Sequence, residues 1–360
     1  MSQKLCISVI VPFFNAEPHI KKCIEILVNQ DTEKSFEIIM IDDASTDNSR
    51  KIVEQFNSDK IKLFTLSSNV GPSGARNRGI KAAQGEYIFF LDADDTISKS
   101  TLKILYKYAK QNDYDLVFCD KKRIENLKNQ RANIFAYDTD KIFESKDITY
   151  EIKKRINNPS HTLGVIGCHG KLIKKSLIIK NNLFFEENLR FLEDEIFILD
   201  ILGFCKRMFY VREQLYTYNI NPTVKTGRSE AFNHPFPISN FKLMKNHVEK
   251  SLLRRKCSTS ETNKYSNQSL IYFIIYTLVS YSLCIFTGKV EKEKGISFRK
   301  KIIRDVVSDI DIFRAVKNYS CSKEESPWIP RAIGWRSSLL LEFFCNQRAK
   351  QLLKNRFNKK

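Results

Sequence analysis

The sequence predicts an α/β fold, in which a Rossmann-like, mainly parallel sheet carries helices on both faces, followed by an α-helical C-terminal region. Over the first 120 residues, apolar runs rich in β-branched residues alternate with segments whose apolar residues recur at helical spacing. The apolar runs are nearly continuous, which is typical of parallel strands buried on both faces. From Ala231 onward the pattern is helical and carries no chemical motif.

Each element of the first 120 residues has its own signal. Apolar runs predict strands at 7–11, 36–41, 61–66, 87–91 and 116–119. Helical spacing predicts helices at 19–29, 47–56, 73–84 and 100–111. Asp47 and Ser73 are expected to cap the N-termini of the second and third helices, and Gly85 to end the third.

The remaining chain is predicted in three parts. Residues 126–160 are polar and irregular, which favours a loop-rich connection, and residues 161–228 form a second functional region. The predicted boundaries are one domain over 1–230, with halves at 1–120 and 121–230, and a helical, basic region over 231–360.

Charge favours an anionic partner. The formal net charge is +19, and the chain from Lys289 to the end has 18 Lys/Arg against 8 Asp/Glu, with no acid after Glu342. Such a balance favours a nucleotide, a nucleic acid, an acidic polysaccharide or an anionic membrane surface. The basic tail is read either as a solvated helix end or as a segment attracted to anionic lipid or acidic glycan.

Cysteine usage and the chain start indicate a cytoplasmic protein. The nine cysteines are scattered without a CxxC pair, which favours reduced thiols over disulfides or a zinc site. A strand-like run begins at Cys6, so no signal peptide is expected. Residues 266–288 lack charge and are long enough to span a bilayer, but their polar residues favour a buried helix over a membrane-associated one.

Polar residues are concentrated where the predicted strands end, at 12–17, 42–47, 69–76 and 92–95. In an open parallel sheet, ligands bind beyond the carboxyl ends of the strands. Four consecutive strand ends therefore converge on one crevice, and this coincidence is more specific than any single motif.

The strand-end residues suit a metal-bound diphosphate. Asp92 and Asp94 are two residues apart and directly follow a predicted strand. Carboxylates in this position can share a hard cation such as Mg²⁺ or Mn²⁺. Asp43 can accept a hydrogen bond from a base, and Arg76 can pair with phosphate. The structural alternatives are a solvated turn for the acids, a turn cap for Asp43, and an ion pair between Arg76 and Asp92 or Asp94.

Four blocks together resemble the family 2 glycosyltransferases with the GT-A fold. They are ISVIVPFFN at 7–15, IDDASTDNS at 41–49, NVGPSGARNRG at 69–79 and FLDADD at 90–95. The resemblance covers residues 5–120 strongly and implies an inverting transferase using a nucleotide-sugar donor, usually linked to UDP, with a divalent cation, Mn²⁺ or Mg²⁺.

The resemblance also implies roles for individual residues. Asp43 would bind the uracil edge, Asp92 would contact ribose or the metal shell, and Asp94 would ligate the metal. The nucleoside pocket would be lined by Pro12, Phe13, Asn15 and Glu17, supported by Asn69 and Arg76, with Ala93 between the two acids of the DxD.

A single-displacement inversion needs a base on the acceptor side. The segment FLEDEIF at 191–197 resembles the family's Glu-Asp pair followed by an aromatic residue, which maps the base onto Asp194. Glu193 and Glu195 are the alternates. The structural alternative is an acidic helix start favoured by the helix dipole.

Two further segments carry weaker signals. CHGKLIKKS at 168–176 resembles a family segment in which a Trp usually precedes Lys-Leu; here Cys168 or His169 takes that place. His169 is more often structural than catalytic in such a setting. Downstream, Thr223, Lys225 and Arg228 are candidates for closing over the diphosphate, although the Arg or His expected after the tyrosines is missing.

The leading hypothesis is transfer of a hexosyl or N-acetylhexosaminyl group to a hydroxyl of a growing capsule or lipopolysaccharide glycan, free or lipid-linked. The alternatives are transfer to a lipid-phosphate carrier, a nucleotidyltransferase of related fold, and a non-catalytic binding module. Acids rather than interleaved cations and aromatics at the strand ends argue against nucleic acid. The basic tail predicts peripheral contact with an anionic membrane at its cytoplasmic face.

Overall fold

The computed structural model describes residues 5–125, 130–134, 136–158, 167–220, 232–234, 236–322 and 325–358. The chain divides into two compact units. The first contains Met1–Thr149 and Leu163–Pro222, and the second contains Tyr150–Thr162 and Thr223–Lys360. None of the nine cysteines, all of which are described, forms a disulfide.

The first unit is built on one ten-stranded sheet. Its strands are β1 (Ile7–Phe13), β2 (Phe36–Asp42), β3 (Ile61–Thr65), β4 (Tyr87–Phe90), β5 (Thr96–Ile97), β6 (Leu116–Glu125), β7 (Gln130–Ile134), β8 (Lys141–Phe143), β9 (Lys171–Lys174) and β10 (Met208–Ile220). Its helices are α1 (Glu17–Val28), α2 (Ser49–Glu54), α3 (Gly71–Ala82), α4 (Thr101–Gln111), α5 (Ser145–Asn157), α6 (Lys175–Lys180) and α7 (Glu193–Phe204), with α5 continuing into the second unit.

The strand order is β3-β2-β1-β4-β9-β6-β10-β5, with β7 beside β6 and β8 beside β10. Strands β3, β2, β1 and β4 are parallel to one another, and β6 is parallel to β10. Strand β9 runs antiparallel to both β4 and β6, so the sheet is mixed but mainly parallel, as predicted. The order reverses direction between β1 and β4, which is the switch point where ligands of such sheets bind.

The five predicted strands and four predicted helices are all present, but three cap predictions are wrong. Asn48 rather than Asp47 is the N-cap of α2, and the Asp47 carboxylate instead accepts from the N–H of Ser49 at 2.9 Å. Ser73 lies inside α3, which begins at Gly71 because the carboxylate of Asp43 satisfies the first backbone amides of the helix. Gly85 does not end the helix. A side chain there would lie 2.5 Å from the backbone of Ile7 and Ser8, so Gly85 allows the chain to pass directly against β1.

The expectation of a loop-rich connection at 126–160 is also wrong. This stretch contains the edge strands β7 and β8 and the helix α5. Strand β7 pairs antiparallel with β6, and strand β8 pairs antiparallel with β10. Antiparallel strands need not carry the nearly continuous apolar run by which the buried parallel strands are recognised.

The second unit is helical, as predicted. Besides the end of α5 it contains α8 (Ile238–Arg254), α9 (Thr259–Phe286), α10 (Lys292–Ser308), α11 (Ile310–Val316), α12 (Trp328–Gly334) and α13 (Ser338–Asn358). Helix α9 starts with a capping box between Ser258 and Glu261. Within the described chain, α9 is the one helix long and apolar enough to cross a membrane, yet 72% of its most apolar window is buried.

Candidate active site

The loops after β1 and β2 are fastened to each other. The carbonyl of Phe13 accepts from the N–H of Asp43 at 2.9 Å. Asn15 adopts a left-handed backbone with φ of 48° and accepts from the N–H of Thr46 at 2.8 Å. Glu17 accepts from the N–H and the side chain of Asn48 at 3.1 and 3.0 Å. Asn15 and Glu17 therefore fix the shape of this edge and lie on its exposed surface.

Asp43 joins these loops to the start of α3. Its carboxylate accepts from the N–H of Val70 at 2.7 Å and of Gly71 at 2.9 Å, and its carbonyl accepts from Asn69 at 3.3 Å. Burial raises the pKa of Asp43, since these hydrogen bonds do not fully offset the cost of desolvating its charge. The turn-capping role considered for Asp43 is thus present, in a carboxylate that is 3% exposed.

The two aromatic residues after Pro12 face opposite ways. Phe13 is 3% exposed and packs in the hydrophobic core on the same face as Val11. Phe14 is 47% exposed, and Pro12 is half-buried. The ring available to a ligand at this edge is therefore that of Phe14, whereas the sequence interpretation had chosen Phe13.

Arg76 connects two motifs that lie 100 residues apart in the sequence. Its guanidinium, 4% exposed, is 2.9 Å from Asp92 Oδ1 and 3.5 Å from Glu193 Oε1. The ion pair anticipated between Arg76 and Asp92 is confirmed. The first turn of helix α3 is bound by the Asp43 carboxylate, and its second turn contains Arg76. The helix therefore connects the loop after β2 with the acids after β4.

His169 is the second partner of Asp92. Its Nε2 lies 2.8 Å from Asp92 Oδ2, and its ring lies near the rings of Tyr216 and Tyr218. Burial by itself would raise the pKa of Asp92, but Arg76 and His169 outweigh burial and hold that pKa well below its ordinary value. His169 is thus part of the acidic cluster, and Cys168 beside it is fully buried.

Asp95 is a site residue that the sequence interpretation did not select. It is 1% exposed, and its carboxylate accepts from the hydroxyl of Tyr216 at 2.5 Å and from the N–H of Asn219 at 2.9 Å. Burial and the neighbouring acids Asp92 and Asp94 raise the pKa of Asp95 to about 8. Its place in the run DADD was the signal available in the sequence.

Asp94 is the exposed acid of the cluster, while Ala93 beside it is 7% exposed. Partial desolvation of the Asp94 carboxylate by the surrounding protein, and the negative charge of Asp92, raise the pKa of Asp94. One carboxylate oxygen each of Asp92 and Asp95 and one ring nitrogen of His169 lie within 4.8 Å of one another. Oxygen ligands with one imidazole are a donor set that Mn²⁺ accepts, and Mg²⁺ takes the carboxylates, so these residues fit a divalent cation.

The acidic helix start faces the same cluster. Leu192, directly before α7, has a left-handed backbone with φ of 64°, which is an outlier for leucine and is typical of functional sites. Burial and the adjacent Asp194 raise the pKa of Glu193 to about 7. Glu195 is buried.

Asp194 lies beside a close turn at Gly167. Its Oδ1 accepts from the N–H of Glu195 at 2.8 Å. Gly167 has φ of +83°, and a side chain there would lie 3.1 Å from Asp194 Oδ2 and 3.9 Å from the ammonium of Lys121. Burial lowers the pKa of Lys121, which the sequence interpretation also missed because its position on β6 carries no motif. Thr223, Lys225 and Arg228 lie outside the described residues.

The first unit thus has a 3-2-1-4 strand order, an acid cluster at the switch point and a second acidic motif beside it, as the GT-A resemblance led us to expect of an α/β fold. Residues 8–180 match the family model described as Glycosyl transferase family 2. Residues 8–180 therefore form a family 2 glycosyltransferase domain, as the sequence blocks indicated.

Two curated relatives agree with this assignment. The uncharacterized glycosyltransferase EpsJ of Bacillus subtilis is 41% identical over 114 residues, which is 31% of this chain and 33% of the relative. The glycosyltransferase GlyG of Streptococcus pneumoniae is 31% identical over 180 residues, which is 48% of this chain and 57% of the relative. The chain thus matches about a third to just over half of these relatives' lengths.

Among solved structures, TarS 1–349 of S. aureus in complex with UDP-GlcNAc superposes with a TM-score of 0.69 at 20% identity. The superposition covers 96% of this chain and 92% of that one. At this identity the likeness shows a common fold.

Proposed function

We propose that the protein is an inverting, metal-dependent glycosyltransferase that moves a hexosyl or N-acetylhexosaminyl group from a UDP-sugar to a hydroxyl of a growing cell-surface glycan, free or lipid-linked. The observation that carries this proposal is the bridge made by Arg76 between Asp92 and Glu193. It brings the end of β4 and the start of α7 to one place, which is what a donor diphosphate and an acceptor-side base require.

The donor nucleotide would lie across the loops after β1, β2 and β3. Phe14 offers an exposed ring on which a base can stack, and Asp43 has lone pairs beyond those that accept from Val70 and Gly71. The remaining contacts proposed for the nucleoside are Pro12, Asn15, Glu17 and Asn69, together with the backbone at Phe13.

A divalent cation would be held by Asp94, whose carboxylate is exposed, with Asp92, Asp95 and His169 beside it. When bound, it supplies positive charge to the leaving diphosphate. Arg76 keeps Asp92 ionised and oriented, because its guanidinium contacts that carboxylate directly. Asp94 and Asp95 lie close to Asp92, which shares one buried guanidinium with Glu193, and this crowding of acids favours a site that takes up additional positive charge.

Asp194 would accept the acceptor's proton. The acceptor oxygen forms its bond to the anomeric carbon as the bond from that carbon to the diphosphate oxygen breaks. The electron pair leaves with UDP, and the hydroxyl proton passes to Asp194. Carboxylates are weak bases toward alcohols, so positioning must supply much of the acceleration. The N–H of Glu195 fixes one oxygen of Asp194 and leaves the other toward Gly167.

The test compares Asp94→Ala with Asp194→Asn in an assay of UDP-sugar hydrolysis and transfer, run with Mn²⁺, with Mg²⁺ and after chelation. Asp94→Ala should weaken metal-dependent donor binding. Asp194→Asn should retain donor binding while transfer falls by roughly 10²–10⁴-fold. Asp113→Asn, an exposed acid of the same unit, is the control and should behave as wild type. If Asp194→Asn transferred sugar at the wild-type rate, Asp194 would not be the base.

A further inference from the structure

The last helix, α13, has a buried face and an outward face of different character. Leu341, Cys345 and Ala349 recur at spacings of four residues and are 0% exposed, so they form the inner face. The outward row starts with Leu339, which is 82% exposed, and Phe343, which is 53% exposed. The same row continues through exposed Gln347, Lys350 and Lys354. The helix therefore presents large apolar side chains at one end and cations at the other.

Two tryptophans extend the apolar part. Trp335, four residues before Leu339, is 56% exposed, and Trp328 at the start of α12 is 47% exposed. Leu340 is a fifth exposed apolar side chain in the segment 328–343. A single exposed leucine is ordinary, but a group of five large apolar residues in sixteen marks an interaction surface. We call these five residues the apolar ridge.

The surroundings of the apolar ridge are cationic. Within the described part of the chain from Trp328 onward, the one acid is Glu342, and it pairs at 2.6 Å with the buried Arg299. Arg331 lies over the ring of Trp328 at 4.8 Å. The cations that the sequence places in this stretch are Arg331, Arg336, Arg348, Lys350, Lys354 and Arg356. The segment therefore combines exposed indole, phenyl and leucyl groups with an excess of positive charge.

We infer that the apolar ridge and the adjoining cations of α13 form a docking surface for an anionic membrane. Indole rings prefer the interface between water and lipid, and leucine and phenylalanine enter the acyl boundary. Lysine and arginine are attracted to anionic headgroups, and the two signals together give binding that neither gives alone. A second copy of this chain is a poorer partner, because two such faces would bring like charges together.

The purpose of this contact rests on the proposed function, since a transferase held at the lipid surface would meet glycans carried on lipid. The docking itself is independent of catalysis. No residue of the apolar ridge belongs to the candidate active site, so a failure of docking and a failure of the proposed transferase activity are separable.

The experiment measures co-sedimentation of the full chain with vesicles of phosphatidylcholine alone and of phosphatidylcholine with an equal amount of phosphatidylglycerol. Wild type should bind the anionic vesicles and bind the neutral ones weakly. The double substitution L339S/F343S should lower partition to anionic vesicles by at least about tenfold. Lys350→Glu combined with Lys354→Glu should remove the salt-sensitive part of the binding.

Leu253→Ser is the matched control, because Leu253 is a 53% exposed leucine in the same unit outside the apolar ridge. It should bind as wild type does. UDP-sugar hydrolysis without vesicles should be unchanged in L339S/F343S, which verifies that the variant is folded. The inference is overturned if L339S/F343S partitions to anionic vesicles as strongly as wild type does. It is also overturned if wild type shows no preference for anionic over neutral vesicles. A concentration-dependent dimer in light scattering that L339S/F343S abolishes would assign the face to a second copy and overturn it as well.

Discussion

The two units treat buried charge differently. In the first unit, Asp92 and Glu193 share one buried guanidinium, that of Arg76, with Asp94 and Asp95 close to Asp92, and the pKa values of Asp95 and Glu193 rise to about 8 and about 7. In the second unit, buried Arg299 contacts one acid and two neutral acceptors, so its charge is matched. An excess of like charge is costly in a fold and is retained where a ligand or cation offsets it. A matched charge needs only a structural explanation.

The largest effect is expected from a substitution that removes the buried cation of the first unit. Arg76→Met removes the cation that contacts both Asp92 and Glu193, so transfer should fall by at least roughly 10²-fold because Asp92 then keeps only His169 and the two acids are no longer held together. Removing the guanidinium from this buried ion pair should also cost about 3–5 kcal/mol of unfolding free energy. Steady-state kinetics and urea unfolding measure the two effects.

Arg78→Met is the control for this substitution. Arg78 lies on the same helix and is exposed, with its guanidinium over the ring of Phe64 at 5.3 Å. It should leave both stability and transfer close to wild type. If Arg76→Met kept full transfer while losing stability, Arg76 would be structural and the contrast between the units would disappear.

The second prediction concerns a substitution that removes Arg299, the buried and fully paired cation of the second unit. Arg299 donates to Ser282 at 2.9 Å, to Asn346 at 2.6 Å and to Glu342 at 2.6 Å. Arg299→Met should lower the unfolding free energy by about 3–5 kcal/mol, because it removes the cation and leaves these acceptors unpaired. The rate of transfer per folded molecule should stay the same.

Arg314→Met supplies the comparison, since the Arg314 side chain is 72% exposed and its ion pair is 3.9 Å long. Its unfolding midpoint in urea should match that of wild type. A loss of transfer by folded Arg299→Met protein would mean that buried charge in the second unit also serves the reaction.

The sequence predicted the parallel half of the fold because its signals are local. Strands β1 to β4 are apolar runs, and the helices between them have clear periodicity, so each element could be recognised without its partners. Strands β7 and β8 could not be recognised in this way. Their sequences carry no long apolar run, and they are defined by antiparallel pairing, of β7 with the preceding strand β6 and of β8 with β10, which is distant in sequence.

The site was predicted to the extent that motifs specify it. The cluster of Arg76, Asp92 and Glu193 follows from recognised blocks, whereas Asp95 is held by Tyr216 and Asn219, more than 120 residues away in sequence. Phe13 is the last residue of β1 and points into the core, whereas Phe14 follows the strand and is exposed. In a strand buried on both faces, the sequence alone does not distinguish the two faces.

The smallest expected effect is on the pH dependence of stability, for which we compare one acid from each unit. Burial would raise the pKa of Glu37, but hydrogen bonds from Lys62, Ser8 and the backbone of Gln84 hold it below its ordinary value of 4.5. Asp309, which caps α11 and pairs with Lys242, likewise has a pKa below its ordinary 3.8, because the Lys242 and backbone hydrogen bonds outweigh its burial. In both cases the folded state favours the ionised form, so the stabilisation is fully present above the ordinary pKa and is lost as pH falls through the folded-state pKa.

Glu37→Gln should therefore lower the unfolding free energy at pH 7 by about 1–3 kcal/mol, and the difference from wild type should vanish as the pH falls below 4.5. Asp309→Asn should show a smaller loss, since its carboxylate is 15% exposed against 3% for Glu37 and asparagine still caps a helix. Urea unfolding at a series of pH values measures both. Equal losses would mean that burial does not set the strength of these hydrogen bonds. A Glu37→Gln loss that grows on acidification would contradict the direction of the pKa shift itself.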